Sequence, residues 1–321
     1  MIPSKWDQEH PVWAEWNEAV RYVWMNGELV PFLHAQMPVM SSACRSGVNV
    51  FEGIRAYWND AHGKLYVFRM REHYQRLIES MRIMHLSRPE GLAEMESLLL
   101  DTLRANEFRS DVHIIHTVYL DAPGAEALGP IGMYIVARPR GRLQPLEPGI
   151  TCGVSSWLRM PDQATPFRAK SGGNYLNTRL GGIEARRHGY DAAIFLNTRG
   201  KVAEGGGACL FAIKKGVVIT PSVTNDILES ITRQTLIDLL PRELDLPVEQ
   251  RDIDRTELYL CDEAFFCGSG WEIVPIRAID GIPLGTGKVG PLVRRIHDLY
   301  FSVARGDRAE HRTWLTEVSH A

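Results

Sequence analysis

The segment around which the chain is organised is RAKSGGNY, residues 168–175. It places Lys170 beside two glycines and ahead of the amphipathic residues 174–188, which Gly189 terminates. Asparagine favours the N-cap of a helix and glycine favours its C-terminal end, so the pattern predicts a helix that follows a loop carrying Lys170. A partly desolvated lysine amine loses its proton and attacks carbonyl carbons. The segment therefore predicts a nucleophilic lysine or, as the simpler alternative, a solvated lysine in a loop.

Length and composition describe an ordinary globular chain. Its 321 residues are enough for two domains, and the hydrophobic and charged fractions, 45% and 23%, are typical of globular proteins. The formal net charge is -3, so we expect no nucleic-acid binding, which needs a positive surplus. No apolar run approaches the ~20 residues that cross a bilayer, and the N-terminal residues lack a signal-peptide core. We expect a cytoplasmic protein without membrane contact.

Cysteines and histidines are not spaced as ligands or as disulfide partners. There are five cysteines, an odd number, and no two of them have CxxC spacing. This favours reduced thiols. His113 and His116 lie three residues apart on a predicted strand, so their side chains point to opposite faces. We therefore expect no metal site.

Hydrophobic periodicity predicts an α+β fold with two domains. The first domain, residues 1–143, begins with a tryptophan-rich arm at residues 1–20. Residues 144–149 contain two prolines and a glycine and predict the linker. Residues 150–321 contain short strands separated by turns, which predicts a barrel-like second domain. The most clearly predicted elements are helices at residues 70–84, 92–108, 174–188 and 231–240 and strands at residues 112–120, 133–137 and 150–157.

Other polar features are each open to two interpretations. Glu204 precedes three glycines, so its carboxylate either lies against a flat ring or ends a strand in water. Residues 230–232 begin a helix, whose N-terminal N–H groups either bind phosphate or are simply capped by Ser230. Arg69 ends a strand, and its planar guanidinium matches a phosphate or is an ordinary surface group. Residues 268–270, GSG, follow a buried strand and offer further N–H donors.

Together these features match the needs of pyridoxal phosphate, a phosphorylated aldehyde cofactor. Lys170 would form a Schiff base with the aldehyde and act as the catalytic residue. Glu204 would keep the pyridine nitrogen protonated, and Tyr175 would hydrogen-bond the ring hydroxyl. The complete predicted cofactor-binding set is Arg69, Lys170, Tyr175, Glu204, Leu228, Ile231, Thr232, Gly268 and Ser269.

The ordered motifs resemble the branched-chain amino-acid aminotransferase family, which comprises class IV aminotransferases of fold-type IV. The resemblance covers roughly residues 22–306. The matching segments are VFEGIR (50–55), FR (68–69), KSGGNY (170–175), EARRHGY (184–190), EG (204–205), ITR (231–233), LYLCDE (258–263) and GP (290–291).

This resemblance implies a structure and a reaction. It implies a smaller N-terminal domain, a larger C-terminal pseudo-barrel domain, a cofactor in the cleft between them, and a homodimer or higher homo-oligomer. It also implies ping-pong transfer of an amino group from an amino acid to a 2-oxo acid, with Lys170 as general base and then acid.

The chain departs from the family pattern in the predicted substrate pocket. Ser46 and Ile115 replace the family's usual tyrosine and arginine, and an aromatic pair is replaced by Arg140 and Leu143. The family's usual Gly-Thr-Ala is GSG here, followed by Trp271. The predicted substrate residues are Phe51, Gly53, Arg55, Arg140 and Gly270.

Arg138, Arg140 and Arg142 alternate, so on a strand they would share one face. We hypothesise that one or two of them bind a substrate carboxylate in place of the missing arginine. The alternative is a solvated basic strand end, and Pro139 favours fraying of the strand there.

Other functions are compatible with the same motifs. A D-amino-acid or amine transaminase, or an enzyme resembling aminodeoxychorismate lyase, would share the fold and the lysine. A non-enzymatic binding protein would instead have lost part of the cofactor set. The sequence leaves the amino donor, the acceptor and the stereochemistry open.

Overall fold

The computed structural model describes residues 11–319, and for residues 11 and 12 it describes only the backbone. Trp6 and the rest of residues 1–10 in the predicted arm lie outside this range. The chain divides into two compact units. The first is drawn from Met1–Gly141, Ala169–Gly173 and Val303–Ala321, and the second is formed by Arg142–Arg168 and Asn174–Ser302.

The helices and strands of the described residues are numbered here in chain order. The strands are β1 (Tyr22–Met25), β2 (Glu28–Pro31), β3 (Asn49–Asn59), β4 (Lys64–Phe68), β5 (Val112–Leu120), β6 (Ile131–Pro139), β7 (Ile150–Val154), β8 (Ala192–Leu196), β9 (Val202–Gly205), β10 (Cys209–Lys214), β11 (Val217–Thr220), β12 (Val248–Gln250), β13 (Glu263–Gly268), β14 (Glu272–Ile279), β15 (Ile282–Pro283) and β16 (Leu315–Val318). The α-helices are α1 (Pro11–Ala19), α2 (Ser42–Ser46), α3 (Met70–Ile83), α4 (Leu92–Asn106), α5 (Tyr175–Arg187), α6 (Ile231–Glu243), α7 (Arg255–Leu258) and α8 (Pro291–Ala304).

The first unit is built on an antiparallel seven-stranded sheet in the order β16-β4-β3-β5-β6-β1-β2. Helices α3 and α4 contribute Tyr74, Leu77 and Leu99 to its core, and β3 contributes Val50 and Ile54. Because side chains alternate along a strand, residues 51, 53 and 55 of β3 project from the opposite face. That second face carries most of the predicted substrate residues of this unit.

Beneath the helices of the first unit lies a buried charge cluster. Glu52, fully buried on β3, accepts hydrogen bonds from Arg76 Nε and Nη2, both at 2.7 Å. Its Oε2 also lies 2.7 Å from His73 Nδ1. Burial raises the pKa of Glu52, but Arg76 and His73 outweigh it and lower the pKa to about 2. The cluster therefore fixes α3 to β3 through an ionised, fully paired carboxylate.

The second unit contains a mixed nine-stranded sheet in the order β12-β11-β10-β13-β14-β7-β8-β9, with β15 paired to β14. The last strand in this order, β9, continues into β10 through Gly205–Gly207, where Gly205 N donates to Ala208 O at 2.8 Å. The last strand, β9, is thus connected to β10, an inner strand of the same sheet. A barrel-like domain is expected to have such a return. Phe211 and Phe265 stack at a centroid distance of 5.1 Å in its interior.

Two local predictions differ from the structure. Asn174 occupies the N-cap position of α5, as predicted, but its side chain does not cap the helix. Its Oδ1 instead accepts from Thr165 Oγ1 at 2.6 Å, and its Nδ2 donates to Pro166 O. Strand β6 ends at Pro139, so Arg140 and Arg142 lie beyond it, and the three alternating arginines do not share one strand face. Proline removes a ladder donor, which explains this end.

The domain boundary at residues 144–149 stays a prediction. The compact units divide after Gly141, and Ala169–Gly173 belongs with the first unit although the sequence pattern places it in the second domain. The described part of the arm contains α1, where Trp16 stacks on Phe32 at 5.8 Å and also contacts Arg138.

We predict that Glu52→Gln strongly destabilises the first unit. The substitution leaves Arg76 buried without its anion, which costs about 3–5 kcal/mol, or roughly 10 °C in the midpoint of thermal unfolding. The control is Glu317→Gln, because Glu317 pairs with Lys64 at 2.8 Å on the solvent-exposed surface. Calorimetry should show a large fall for the first variant and almost none for the second; equal midpoints would contradict the role of the cluster.

Candidate active site

Lys170 is held by its peptide groups at an open edge of β3. On one side of β3, β5 pairs from Asn49 to Ala56, whereas β4 covers the other side only from Ala56 to Asn59. The uncovered edge pairs instead with residues 170 and 171: Phe51 N donates to Lys170 O at 2.9 Å, and Val50 forms a bridge with Ser171. Lys170 Nζ lies 4.7 Å from the centroid of the Phe51 ring. The amine is therefore placed on the face of the sheet opposite Glu52.

Gly172, the first glycine after Lys170, is closely packed. A Cβ on Gly172 would lie 2.5 Å from Asn49 Oδ1, which is closer than atoms approach in proteins. A Cβ on Gly47 would meet the backbone of Gly173 at 3.5 Å, and Gly47 itself has a positive φ of 69°. The small residues let this segment lie flat against the start of β3. The backbone of the loop that carries Lys170 is thus fixed against β3, and Lys170 itself is half-buried.

Further along the same face of β3, Gly53 and Arg55 lie opposite Ile115 and His113 of β5. Arg55 is buried, and its Nη1 donates to Arg140 O at 2.8 Å. A Cβ on Gly53 would lie 3.3 Å from His113 Nε2. These contacts make Arg55 a support for residues 140–141 and place the His113 ring directly over Gly53.

His113 and Arg140 form a polar pair at this site. Arg140 Nη1 lies 3.2 Å from His113 Nδ1. Since a guanidinium only donates, Nδ1 accepts and the proton of the neutral ring is on Nε2. Burial lowers the pKa of His113 to about 3, and the neighbouring cations Arg140, Arg55 and Arg138 contribute. The ring is therefore neutral at physiological pH and presents an N–H donor near Gly53.

The three alternating arginines have different surroundings. The guanidinium carbon of Arg138 lies 4.4 Å from the Trp16 ring centroid in the first unit. That of Arg142 lies 4.4 Å from the Phe301 ring in the second unit. Arg140 is the one that contacts a polar side chain of the face carrying Lys170. The opposite orientations predicted for His113 and His116 are confirmed, since His116 Nδ1 lies 3.0 Å from Tyr74 Oη on the helix side.

In the second unit, Glu204 is a buried and charge-compensated carboxylate. Its Oε1 accepts from Arg159 Nη2 at 2.6 Å, and Oε2 lies 3.4 Å from Leu228 N. Arg159 also donates to Gly205 O and Asn177 Oδ1, which fixes its orientation. The interpretation of Glu204 as a strand-end carboxylate in water is therefore wrong. The predicted pair Glu204 and Leu228 is brought together.

The three glycines after Glu204 let bulky groups approach the backbone. A Cβ on Gly205 would lie 2.6 Å from the Phe266 ring, and one on Gly207, where φ is 87°, would lie 3.5 Å from Tyr175 Cε1. A Cβ on Gly268 would lie 3.6 Å from Gly207 O. Tyr175 and Gly268 thus both flank the loop that follows Glu204.

The first turn of α6 has the expected form of a helix start. Ser230 caps the helix, since its Oγ accepts from Arg233 N at 3.3 Å. The N–H groups of Ile231 and Thr232 precede that capped position, and such groups have no acceptor within a helix. The capping interpretation of Ser230 is therefore confirmed, and phosphate binding by the N–H groups of Ile231 and Thr232 stays a prediction.

Arg69 is buried at the start of α3. It has a left-handed conformation with φ of 52°, and its guanidinium carbon lies 4.5 Å from the Trp314 ring. Its Nε lies 2.6 Å from Glu72 Oε1. The side chain is thus an oriented, buried cation, and the interpretation of Arg69 as an ordinary surface arginine is wrong.

Sequence reasoning missed three polar residues that support the site: Ser80, His113 and Arg159. Ser80 is a polar residue on the buried face of α3, and His113 is a polar residue on β5. Such interruptions of an apolar pattern could have identified both residues from the sequence. Arg159 follows β7 in an irregular segment, and only the tertiary contact with Glu204 reveals it.

We predict that His113 makes stability dependent on acid pH. The folded pKa of about 3 lies below the ordinary 6.5, so between these values only the unfolded chain binds the proton. The stabilisation is complete above pH 6.5 and is lost as pH falls towards 3, by about 2 kcal/mol at pH 5.

Urea unfolding at pH 7 and pH 5 measures this contribution. His113→Asn should reduce the difference between the two pH values by about 2 kcal/mol. The exposed His85, which has a positive φ of 53° that asparagine tolerates, provides the control His85→Asn. An unchanged pH dependence in His113→Asn would show that this imidazole does not titrate in this way.

Comparison with known proteins places these features in a family. The family model for amino-transferase class IV matches residues 49–279. The branched-chain-amino-acid aminotransferase of Escherichia coli (strain K12) is 39% identical over 305 residues, or 93% of this chain and 97% of that protein.

Solved structures agree with the sequence comparison. The branched-chain aminotransferase of Thermoproteus uzoniensis, solved with norvaline, superposes with a TM-score of 0.88 at 39% identity, over 94% of this chain and 100% of that chain. The branched-chain amino acid aminotransferase of Thermobaculum terrenum, solved in its PLP form, gives a TM-score of 0.88 at 40% identity, over 94% and 99% of the two chains. The predicted two-domain α+β architecture of fold-type IV is thus confirmed, and the chain belongs to the class IV aminotransferases, similar to those named for branched-chain amino acids.

Proposed function

We propose that this protein is a pyridoxal-phosphate-dependent aminotransferase in which Lys170 carries the cofactor. It moves an amino group by ping-pong exchange from an amino acid to a 2-oxo acid, and the relatives' names favour a branched-chain amino acid. The observation that carries the proposal is the amine of Lys170 beside the Phe51 ring of β3, on a backbone fixed to that strand, within a chain of this family. The D-amino-acid, amine and lyase alternatives are not favoured, because the similar proteins are branched-chain aminotransferases.

The donor set fits the cofactor chemically. When bound, pyridoxal phosphate supplies an aldehyde that condenses with amines and a ring that withdraws electrons. A cofactor of this kind needs an amine, an acid for its ring nitrogen, and donors for its phosphate. The residues proposed to hold it are Arg69, Lys170, Tyr175, Glu204, Leu228, Ile231, Thr232, Gly268 and Ser269.

Each polar group has a distinct task. Lys170 takes the proton from the α-carbon of the substrate and later returns it as an acid. Glu204, which accepts a hydrogen bond from Arg159 at 2.6 Å, would hold the ring nitrogen of the cofactor in its protonated form. Tyr175 would donate to the ring hydroxyl oxygen, and the first N–H groups of α6 would bind phosphate oxygens.

The substrate carboxylate is proposed to bind Arg140 together with the Nε2–H of His113. Arg140 is supported by Arg55 through its carbonyl oxygen and contacts His113 through Nη1. Phe51 and Gly53 leave room beside them: Phe51 offers a flat apolar surface, and Gly53 has no side chain. Gly270 remains proposed as a further substrate contact.

The protein is further proposed to act as a homodimer or higher homo-oligomer in a reducing, cytoplasmic compartment. Exposed apolar side chains of the second unit, including Leu176 and Leu180 one turn apart on α5, suit burial against a second copy. All five cysteines are free thiols, as a reducing compartment favours. Among residues 11–319 we find no helix with the length and apolar character needed to span a membrane. Light scattering measures the oligomeric state directly.

A screen of single half-reactions tests the function. The cofactor-loaded protein should show the visible absorption band of a Schiff base, and mixing with a branched-chain L-amino acid should bleach it. Lys170→Ala should lack the band and lose at least about 10⁴-fold in kcat, because one residue serves as anchor and as acid–base group. Bleaching by D-amino acids alone would overturn the stated substrate class, and a Lys170→Ala variant with a normal band would overturn the role of the lysine.

The carboxylate contact is tested by Arg140→Ala. Loss of a charged hydrogen bond worth ~1.5–3 kcal/mol should lower kcat/KM for amino acids by one to two orders of magnitude. Arg138→Ala is the matched control, because Arg138 lies over Trp16 and should leave kcat/KM nearly unchanged. If Arg140→Ala keeps the wild-type kcat/KM for every donor and acceptor, Arg140 does not bind the carboxylate.

A further inference from the structure

One contact of the candidate lysine comes from a helix that carries no predicted site residue. The peptide N–H of Lys170 donates to Ser80 Oγ at 3.1 Å. Ser80 lies in the last turn of α3 and is fully buried. The serine hydroxyl is therefore directed at the backbone of Lys170 instead of at solvent.

The two peptide groups of Lys170 are thus fixed by two different elements. Its N–H is bound by Ser80 of α3, and its carbonyl oxygen is bound by Phe51 N of β3 at 2.9 Å. Ser171, the next residue, forms a bridge with Val50. A backbone held on both sides of the α-carbon restricts the directions that the lysine side chain can take.

The helix that carries Ser80 is itself rigidly attached. His73, Arg76 and Ser80 are spaced as i, i+3 and i+7, so they lie on one face of α3. His73 and Arg76 bind the buried Glu52, the residue after Phe51 on β3. The same short stretch of β3 therefore anchors the helix and pairs with the lysine, so that Ser80 is fixed relative to Phe51.

We propose that Ser80 is a positioning residue for Lys170: its hydroxyl orients the peptide, and thereby the amine, through which the proposed aminotransferase acts. Ser80 contacts neither substrate nor cofactor in this proposal. The inference rests on the proposed role of Lys170, whereas the hydrogen bond itself does not depend on that role.

Two variants remove the hydrogen bond in different ways. Ser80→Ala removes the acceptor, and Ser80→Cys fills the space with a sulfur atom that accepts weakly. The control is Thr102→Val, because Thr102 is fully buried on α4 of the same unit and its Oγ1 donates to Leu98 O at 2.7 Å. Thr102→Val thus also removes one buried hydroxyl bond, but it leaves the contacts of Lys170 intact.

The first readout is hydrogen exchange of the Lys170 amide in protein without added cofactor. A lost hydrogen bond changes the local opening equilibrium by roughly threefold to tenfold. Both Ser80 variants should exchange faster at Lys170 by about this factor, whereas Thr102→Val should match the wild type there. Equal exchange in Ser80→Ala, Thr102→Val and the wild type would overturn the contact.

The second readout is the pH titration of the visible band in the cofactor-loaded protein. A lysine with a freer backbone should shift the midpoint by roughly 0.5 pH unit and lower kcat by about threefold to tenfold, with KM for the donor changed less than about twofold. A purely structural role of Ser80 predicts a lower unfolding midpoint with an unshifted titration, as for Thr102→Val, and would refute the positioning role.

A parallel measurement on Lys170→Ala separates the two proposals. If that variant keeps the visible band, the proposed function fails, and the exchange experiment still decides whether Ser80 holds the segment. If Lys170→Ala lacks the band but both Ser80 variants titrate like the control, the proposed function stands and the positioning role of Ser80 is wrong.

Discussion

The pairing of residues 170 and 171 with the uncovered edge of β3 is the contact on which the candidate site depends. An exposed strand edge has unsatisfied N–H and C=O groups, and these must be paired or covered. Here β4 pairs only with the far half of β3, and the segment that carries Lys170 takes the near half. A requirement of sheet architecture thus places the lysine, since the same hydrogen bond that satisfies Phe51 N fixes the backbone of Lys170.

Charge compensation within each unit keeps the polar groups of the site in defined states. Glu52 is paired by Arg76 and His73, and Glu204 is paired by Arg159. An uncompensated carboxylate buried this deeply would become protonated or would destabilise the fold. In Glu204 the compensating charge of Arg159 lies beside the carboxylate that is proposed to contact a pyridine nitrogen. Arg159 is therefore as necessary to the proposed role of Glu204 as the carboxylate itself.

Local sequence patterns predicted elements well where one face is buried and the other is not. Strand β5 has the predicted bounds, and α3 differs from its prediction by one residue at its end, because alternation and 3.6-residue periodicity are set by burial. The side-chain contact of Asn174 could not be predicted, because its Oδ1 accepts a hydrogen bond from Thr165. This contact exists only in the folded chain. Similarly, no local pattern assigns residues 169–173 to the first unit, since their partners on β3 lie about 120 residues away in sequence.

The motif residues and the substrate residues differ in how far sequence alone determines them. A glycine or a lysine in a family motif has one role. The motif therefore predicts which groups surround that residue. An arginine has several possible partners, and three arginines with the same spacing lie against Trp16, His113 and Phe301. Aromatic rings contact two of them through cation–π interactions. Arg140 differs because its partner is a neutral imidazole whose pKa is lowered to about 3. A neutral imidazole offers an N–H donor beside the guanidinium of Arg140, and a substrate carboxylate, which has two acceptor oxygens, would suit both donors.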